Sequence, residues 1–459
     1  MTASPLPLPA PPAAAVEPPQ PSLPCALPGL SHWHRTTHAF PYLNHNAETP
    51  LPARSPLVII GTGISGALAA FKLVDAGVPP DEILLLEARQ AVGGSSGRNA
   101  GHVRPDAFRG FSGYAAAHGT AQALKISDNE NAVLKAWGSF IEQHQIPCEF
   151  SLKQTYDVCM TEEIAADEAR NVQEYVAAGG SMDGIRVYGA DEAARTLGIK
   201  DAVAAYAWTA ASIHPVKLAQ WLLARVVEQG VHLWTHCPEE EEGIDTPWWT
   251  VHTPRGDISA QRILHCTNAH AGVLLPQLPL PHITPIRVQV QTFILPNFAG
   301  DQALKSTMAV RFNPQLFYGL SQAQSDGKMI VSVGKPSGIS FDDSSYKQEL
   351  IDETLDTIDK VFHSPEMAKS KREFQPGEGL DHVWTGLIAM TPDKVPYVGA
   401  IEELPGQFIC AGFNGHGMAN IFTCVEGLVT LLQGGGWEET RLPECYRYEK
   451  RRAATGKEQ

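Results

Sequence analysis

Cysteine is sparse in this 459-residue chain: eight residues, at 25, 148, 159, 237, 266, 410, 424 and 445, without a CxxC pair or metal-like spacing. The scatter argues against a disulfide framework and a structural zinc, so a reduced, cytoplasmic protein with no metal site is expected. Long apolar runs are missing too. No stretch of about 18 or more apolar residues occurs, and the N-terminus has no basic segment followed by an apolar one, so neither a membrane span nor secretion is expected. Basic residues are outnumbered, 35 Lys and Arg against 50 Asp and Glu, and the net charge of −15 with no basic cluster makes nucleic acid an unsuitable partner. Small neutral or cationic ligands fit better.

What is present begins at residue 57. Leu57 to Ile60 is an apolar, β-branched run that stops at Gly61, Gly63 and Gly66, spaced GxGxxG, and a helical pattern through Ile64, Leu68, Phe71 and Leu73 follows. Gly61 makes the turn, Gly63 admits a pyrophosphate close to the backbone, and Gly66 lets helix and strand pack. The helix N-terminus then faces the phosphates. A second apolar run, Ile83 to Leu86, ends in Glu87, placed to accept a bond from a ribose 2′-hydroxyl and to repel a 2′-phosphate. Only one such glycine turn exists, so a second dinucleotide is not expected.

Length suits two domains, and the 43% hydrophobic and 19% charged content is that of a globular chain. Residues 1–54 read as a Pro-rich, largely irregular leader, whose His32, His34, His38 and His45 lack ligand spacing and read as surface or docking residues. A nucleotide domain over 55–142 gives way to a second domain over 143–207, opened by the alternating strand at 151–160. The first domain returns over 208–282, through a helix after Pro215 and a hairpin from Trp248, with the acidic run Glu239 to Glu242 read as a solvated loop. Residues 283–380 revisit the second domain, 381–435 close the first, and 436–459 form a tail. The fold class is therefore α/β plus α+β: a Rossmann-like domain interleaved with one on a mostly antiparallel sheet.

Several ordered segments together carry a resemblance: GTGISG with Glu87, SSGRNAGH at 95–102, CTNA at 266–269, TPDKVPYVG at 391–399 and GFNGHGM at 412–418. Over about residues 55–435 the chain resembles the flavin-dependent D-amino-acid oxidase superfamily, the fold of glycine and sarcosine oxidases. Its GRNxGH segment is most similar to fungal members and related to one in gamma-glutamylputrescine oxidase. The resemblance implies non-covalent FAD, held by Gly61, Gly63, Ile64, Ser65, Gly66, Glu87, Ala88, Arg89, Ser95, Ser96, Arg98, Asn99, Ala100, Gly101, His102, Thr267, Asn268, Gly412, Asn414, Gly415, His416, Gly417 and Met418. The last turn would aim N–H groups at the flavin edge where charge develops on reduction.

The family implies hydride transfer from a C–H beside an amine nitrogen to flavin N5, with oxygen or another acceptor reoxidising the flavin. The alternatives are oxidation of a C–OH or C–C bond in a biosynthetic intermediate, or a flavoprotein without catalysis. His102, His416 and Tyr318 are the catalytic candidates, Arg287 a weaker one, and Lys328 or Lys335 could assist oxygen. Matching the family's segments puts Gly386 where sarcosine oxidase has its flavin-linking cysteine. It also puts Ile388 where glycine oxidase has the arginine that grips the substrate carboxylate. The expectation is a small-molecule substrate that is not a simple α-amino acid.

Overall fold

The computed structural model describes residues 22–26, 29–238, 241–245, 248–276, 283–335, 338–362 and 374–448, with the backbone alone at 241–245. Glu239 and Glu240, and most of residues 1–30, lie outside them. Arg54–Ile60 sits inside a sheet, paired in parallel with Ile83–Leu86 on one side and Gly256–His265 on the other. Its last four residues are buried, because helices cover one face of the sheet and a hairpin lies over part of the other. The order is Tyr397–Ala400, Gln407–Ala411, Gly256–His265, Arg54–Ile60, Ile83–Leu86, His232–Trp234, with Trp248–Thr253 and Glu241–Asp245 added through the hairpin. Glu241 and Glu242 thus belong to a strand, not to the loop their charge suggested. Helices Ile64–Asp75, Thr120–Gln143, Pro215–Glu228 and Ile421–Leu432 bury their apolar faces together against one side.

The second sheet runs Gly379–Met390, Thr284–Ile294, Met329–Val333, Leu316–Gln322, Thr307–Asn313, Ser151–Cys159, Ala204–Ser212, His102–Val103. All neighbours along this path are antiparallel except Thr307–Asn313 beside Ser151–Cys159. Helix Gln348–Val361 covers its outer face through Leu350, Ile351 and Ile358.

Three expected boundaries move. Ala204–Ser212 pairs with Ser151–Cys159 along its whole length, so the return to the nucleotide domain comes at Pro215, after the helix cap His214, and not at 208. Gly379–Met390 pairs throughout with Thr284–Ile294, which carries the second domain past 381 to about 390. The leader is built in from Gly29 onward: Ser31 caps helix His32–Thr36, and Ser31, His32, Trp33 and His34 are all buried. Composition detected the proline-rich start but not the docking that follows it. No helix among the described residues is long and apolar enough to cross a membrane.

Candidate active site

At the glycine turn the backbone leaves no room for side chains. A Cβ on Gly66 would sit 1.9 Å from the carbonyl oxygen of Gly61, and one on Gly61, at φ +100°, would sit 2.7 Å from that of Cys266. The N–H of Ile64 donates to Ser96 Oγ at 2.9 Å, while those of Ser65 and Gly66 meet no acceptor among the described residues, leaving an anion-ready helix end. Glu87 accepts bonds from Thr62 N–H at 3.1 Å, Thr62 Oγ1 at 2.6 Å and Arg89 N–H at 3.0 Å. A carboxylate offers about four acceptor positions, so one remains for a ribose hydroxyl. Glu87→Ala removes the acceptor expected to hold the ribose and the bonds that brace the turn. FAD affinity should fall by roughly 1.5–3 kcal/mol or more, read by titrating the apoprotein with FAD and following fluorescence quenching.

The terminal nitrogens of Arg89 and the whole Arg98 guanidinium are taken up by protein partners. Arg89 makes a bidentate pair with Asp343 at 2.8 and 2.9 Å, and Arg98 donates to the carbonyls of Thr385, Gly93 and Gly29. Both tie the segment around them to the second domain and the leader. Ala88, between Glu87 and Arg89, has no side chain beyond Cβ to offer. Ser95 Oγ donates to the Leu387 carbonyl, and Asn99 folds back on Ser96 and Gly101. Trp33 of the leader donates to the Asn99 carbonyl at 2.7 Å and packs so close to Gly101 that a Cβ there would meet its ring at 2.8 Å. His34 reaches the Val92 carbonyl at 3.0 Å, and burial pushes its pKa down to about 4. The leader histidines 32 and 34 are docking residues, not surface ones. Trp33 also lines a groove with Ala100, Gly101, Ser321 and Gln322.

The pairing register of the second sheet decides which of its side chains face the nucleotide domain. Gly319, Ser332, Val290 and Trp384 form one cross-strand row on the inner face, and Phe317, Val288 and Gly386 the next. Tyr318 and Arg287 fall on the outer face. Tyr318 is 3% exposed in the core beneath helix Gln348–Val361, and Arg287 bonds Asp342 and Ser345. Lys328 pairs with Asp326 and Asp381, and Lys335 with Glu353. None of these four is brought to the cleft, because a period of two puts alternate residues on opposite faces and the sequence alone does not say which.

His102 is brought there. Its Cε1 lies 3.9 Å from where a Gly319 Cβ would be, its Nε2 is buried without a partner, and burial with Arg104 and Lys153 nearby depresses its pKa to about 3. It is a neutral group. Thr267 Oγ1 is likewise buried and unpaired, and Asn268 Oδ1 takes the N–H groups of Gly412 and Phe413. Asn414 Oδ1 accepts the Thr391 N–H, which fixes the turn through Gly415 at φ +81°. The N–H groups of Gly415, Gly417 and Met418 find no backbone acceptor among the described residues. Glycines against backbone at one end, and orphaned polar atoms with free N–H groups at the other, fit a long dinucleotide with a polar ring.

The sequence reading missed what stands behind His416. Its Nε2 is 3.3 Å from Asp106 Oδ2, and Asp106 Oδ1 is held by Arg109 at 2.6 and 3.0 Å. Glu130, 1% exposed, accepts the Asp106 N–H at 2.5 Å and a bond from Asn420. Burial, then the Asp106 charge, lifts the Glu130 pKa to about 8. Beneath them Asp157, with a side chain 0% exposed, is met by Arg104, Arg109 and Arg311. Asp106, Glu130 and His416 place one ligand atom each within 4.8 Å of one another, where no metal was expected, but Arg109 already compensates Asp106. Proline before Asp106 and Arg109 three residues on were the available signals.

This geometry can be set against known proteins. The sequence matches the family described as FAD dependent oxidoreductase (DAO) over residues 56–428. The chain belongs to that family. FAD is its cofactor, and the protein is an FAD-dependent oxidoreductase. Among solved structures it is similar to glycine oxidase from Geobacillus kaustophilus, with a TM-score of 0.69 at 17% identity, covering 84% of this chain and 96% of that one. It is similar to L-proline dehydrogenase from P. horikoshii, at 0.66 and 20%, covering 86% and 98%. Iminodiacetate oxidase from Chelativorans sp. BNC1 matches at 0.64 and 19%, covering 83% and 96%. At those identities the likeness concerns the fold. An FAD-binding monooxygenase of Aspergillus calidoustus is 36% identical over 73 residues, 15% of this oxidoreductase and 11% of that protein's length.

Proposed function

We propose that this oxidoreductase oxidises a carbon beside an amine nitrogen, in a substrate whose neighbouring group is apolar or aromatic and not an α-carboxylate. FAD, when bound, supplies the hydride acceptor. The observation that carries the reading is Ile388: it lies on the inner face and packs against Gly415, 3.5 Å from where a Cβ there would stand. Burying a carboxylate against that side chain would cost several kcal/mol, whereas an alkyl or aryl group gains by contact. Support for a C–N bond comes from the three similar enzymes just named, those of glycine, L-proline and iminodiacetate. The protein's part is to seat the substrate between the Gly319–Ser332 floor and the glycine turn at 412–418, with neutral His102 at one side and His416 at the other. All eight cysteines are free, which supports a reducing compartment.

A second reading is favoured by Lys153. It stands on the inner face in the same strand as Thr155 and Asp157, half-buried, with no anionic partner among the described residues. A hydroxy acid whose carboxylate reached that ammonium would be oxidised at C–OH.

Anaerobic mixing of the FAD-loaded protein with benzylamine, N-methylbenzylamine, glycine, sarcosine, D-amino acids and 2-hydroxy acids separates the two. The aryl amines should bleach the yellow band at least tenfold faster than glycine or sarcosine, the margin of one missing charge-assisted bond at about 1.5–3 kcal/mol. Fast bleaching by glycine or sarcosine would sink the amine reading as stated. Bleaching by a hydroxy acid, lost in Lys153→Met, would establish the second. Return of colour in air identifies oxygen as acceptor.

The cofactor is also proposed to be non-covalent. Gly386 has no side chain to form a thioether, and a Cβ there would be crowded, standing 3.1 Å from Arg98 Cβ. Acid precipitation should leave all yellow colour in the supernatant. Colour retained in the pellet would implicate His102.

A further inference from the structure

We propose that Asp106 and His416 form an oriented base: Asp106 fixes His416 with its proton on Nε2, so that Nδ1 presents a lone pair to the incoming ammonium. The proposal rests on the amine reading for its substrate but not for its geometry. Asp106 divides its carboxylate cleanly. Arg109 takes Oδ1 through both Nε and Nη2, and Oδ2 is left for His416 Nε2 at 3.3 Å. Asp106 cannot drift, because its own N–H is anchored on Glu130 Oε2 at 2.5 Å.

The histidine's backbone is held from the same point. Asn420 Nδ2 donates to the His416 carbonyl and to Glu130 Oε1, both at 3.2 Å, and Tyr446 and Asn129 hold Asn420 Oδ1 at 2.7 and 3.3 Å. Both halves of the pair are thus bound to one buried carboxyl on helix Thr120–Gln143. His416 remains 30% exposed, and its Nδ1 has no partner among the described residues. A side chain facing a carboxylate at one nitrogen and open at the other is the arrangement an oriented general base requires.

The charged groups around the pair set its sign. Asp106 pulls the His416 pKa up, but burial, Arg109 and Arg104 outweigh it and leave the imidazole below its ordinary value. Burial works against ionisation of Asp106, yet Arg109, His416 and Arg104 keep it ionised. At neutral pH the pair is therefore carboxylate and neutral imidazole. In the step proposed, an N–H bond of the substrate ammonium breaks and a bond from that proton to Nδ1 forms. The amine lone pair is freed, and the imidazolium produced stands beside the Asp106 carboxylate. Asp106 is a positioning residue, since it touches His416 and not the substrate.

The first test does not use turnover. Long-range 1H–15N spectra of the FAD-loaded protein, with His416 assigned by loss of its signals in His416→Gln, should show the Nε2–H tautomer at pH 7.5. In Asp106→Asn the tautomers should mix, and the His416 titration should move to lower pH because the carboxylate that favoured imidazolium is gone. An Nδ1–H tautomer in the wild type, or an unmoved titration in Asp106→Asn, would overturn the proposal; Asp106→Glu, which keeps the charge, guards against a folding artefact. The second test follows anaerobic bleaching by N-methylbenzylamine between pH 5 and 10. Asp106→Asn should slow it at least tenfold and move its acid limb downward, while Asp106→Glu retains the limb. A rate loss with no movement of the limb would mark Asp106 as merely structural. If no amine bleaches the protein, the amine reading and the ammonium step fail together, whereas the spectra decide the His416–Asp106 pairing separately.

Discussion

Gly66→Ala is expected to yield a protein that is purified without colour and does not regain it with added FAD. The cause is a single contact. A methyl at residue 66 would stand 1.9 Å from the Gly61 carbonyl oxygen and 3.4 Å from Ile59 Cγ2, so either the first turn of helix Ile64–Asp75 or the strand end must move. Neither can move alone. Gly61 N–H is bonded to the Leu86 carbonyl at 2.8 Å, and the helix is packed against Pro215–Glu228 and Ile421–Leu432. Overpacking of this kind costs about 1–3 kcal/mol, more where backbone must yield, and each 1.4 kcal/mol taken from FAD binding is about tenfold in Kd. We expect a hundredfold weaker Kd or worse by fluorescence titration, with loss of the thermal stabilisation that FAD gives the parent. Gly77→Ala is the control: nothing lies within 4 Å of its Cβ position, so only strain at φ +92° is added, far from the phosphates. Equal FAD affinity in the Gly66 variant and the parent would refute the placement of the pyrophosphate.

The second large effect is expected at Asp157. Its carboxylate has no exposure and receives Arg104 at 3.0 Å, Arg109 at 3.1 Å and Arg311 at 3.3 Å. Asp157→Ala would leave three guanidinium groups crowded in the interior with Asp106 and Glu168 as their remaining partners. Breaking a buried ion pair from one side typically costs about 3–5 kcal/mol, because the stranded charge keeps its desolvation cost. A clear drop in the thermal midpoint of the FAD-loaded protein follows. A pH signature accompanies it. Burial alone would raise the Asp157 pKa, but the three arginines hold it well below the ordinary carboxylate range. A depressed carboxyl contributes stability that is complete above its unfolded pKa and is lost as pH falls through the folded one. The gap between parent and variant should therefore hold through mild acid and narrow only in strong acid. An unchanged midpoint would mean that the cluster is solvated in solution.

How far the site was legible from the chain depended on which kind of signal each residue left. The turn that carries Glu87 and the three glycines was legible because it is local: a strand, a turn and a helix follow one another within 30-odd residues, and sterics leave only glycine at the closest approaches. Asn268, Asn414 and His416 were legible for a related reason, since each sits in a turn at a strand end where short polar residues and glycine gather. Asp106 left only the neighbouring Pro105 and Arg109 as a trace, and Glu130 left none. They lie 24 residues apart on different elements and meet only when helix Thr120–Gln143 packs beneath the GlyHisGly turn.

Tyr318, Arg287, Lys328 and Lys335 show the converse. Each has the right chemistry and stands on or next to a strand of the right sheet, but alternation gives every strand two faces and the assignment between them is not local. The sheet resolves it because Gln289 and Gln291 bond the start of helix Gln348–Val361, fixing the odd-numbered side of that strand outward, Arg287 with it. The leader is a further case: proline content predicted loose chain, whereas Trp33 and His34 found a bed on Gly97, Asn99 and Gly101 that exists only once the nucleotide domain has folded.

Sequence by itself thus determined the cofactor and the frame that holds it, since both follow from short-range rules on sterics, helix ends and apolar periodicity. Tertiary structure alone decided which charges share the interior. Burial makes a carboxylate or guanidinium tolerable only beside a partner, and the partners of Asp106, Glu130 and Asp157 come from elements that only the folded packing brings together.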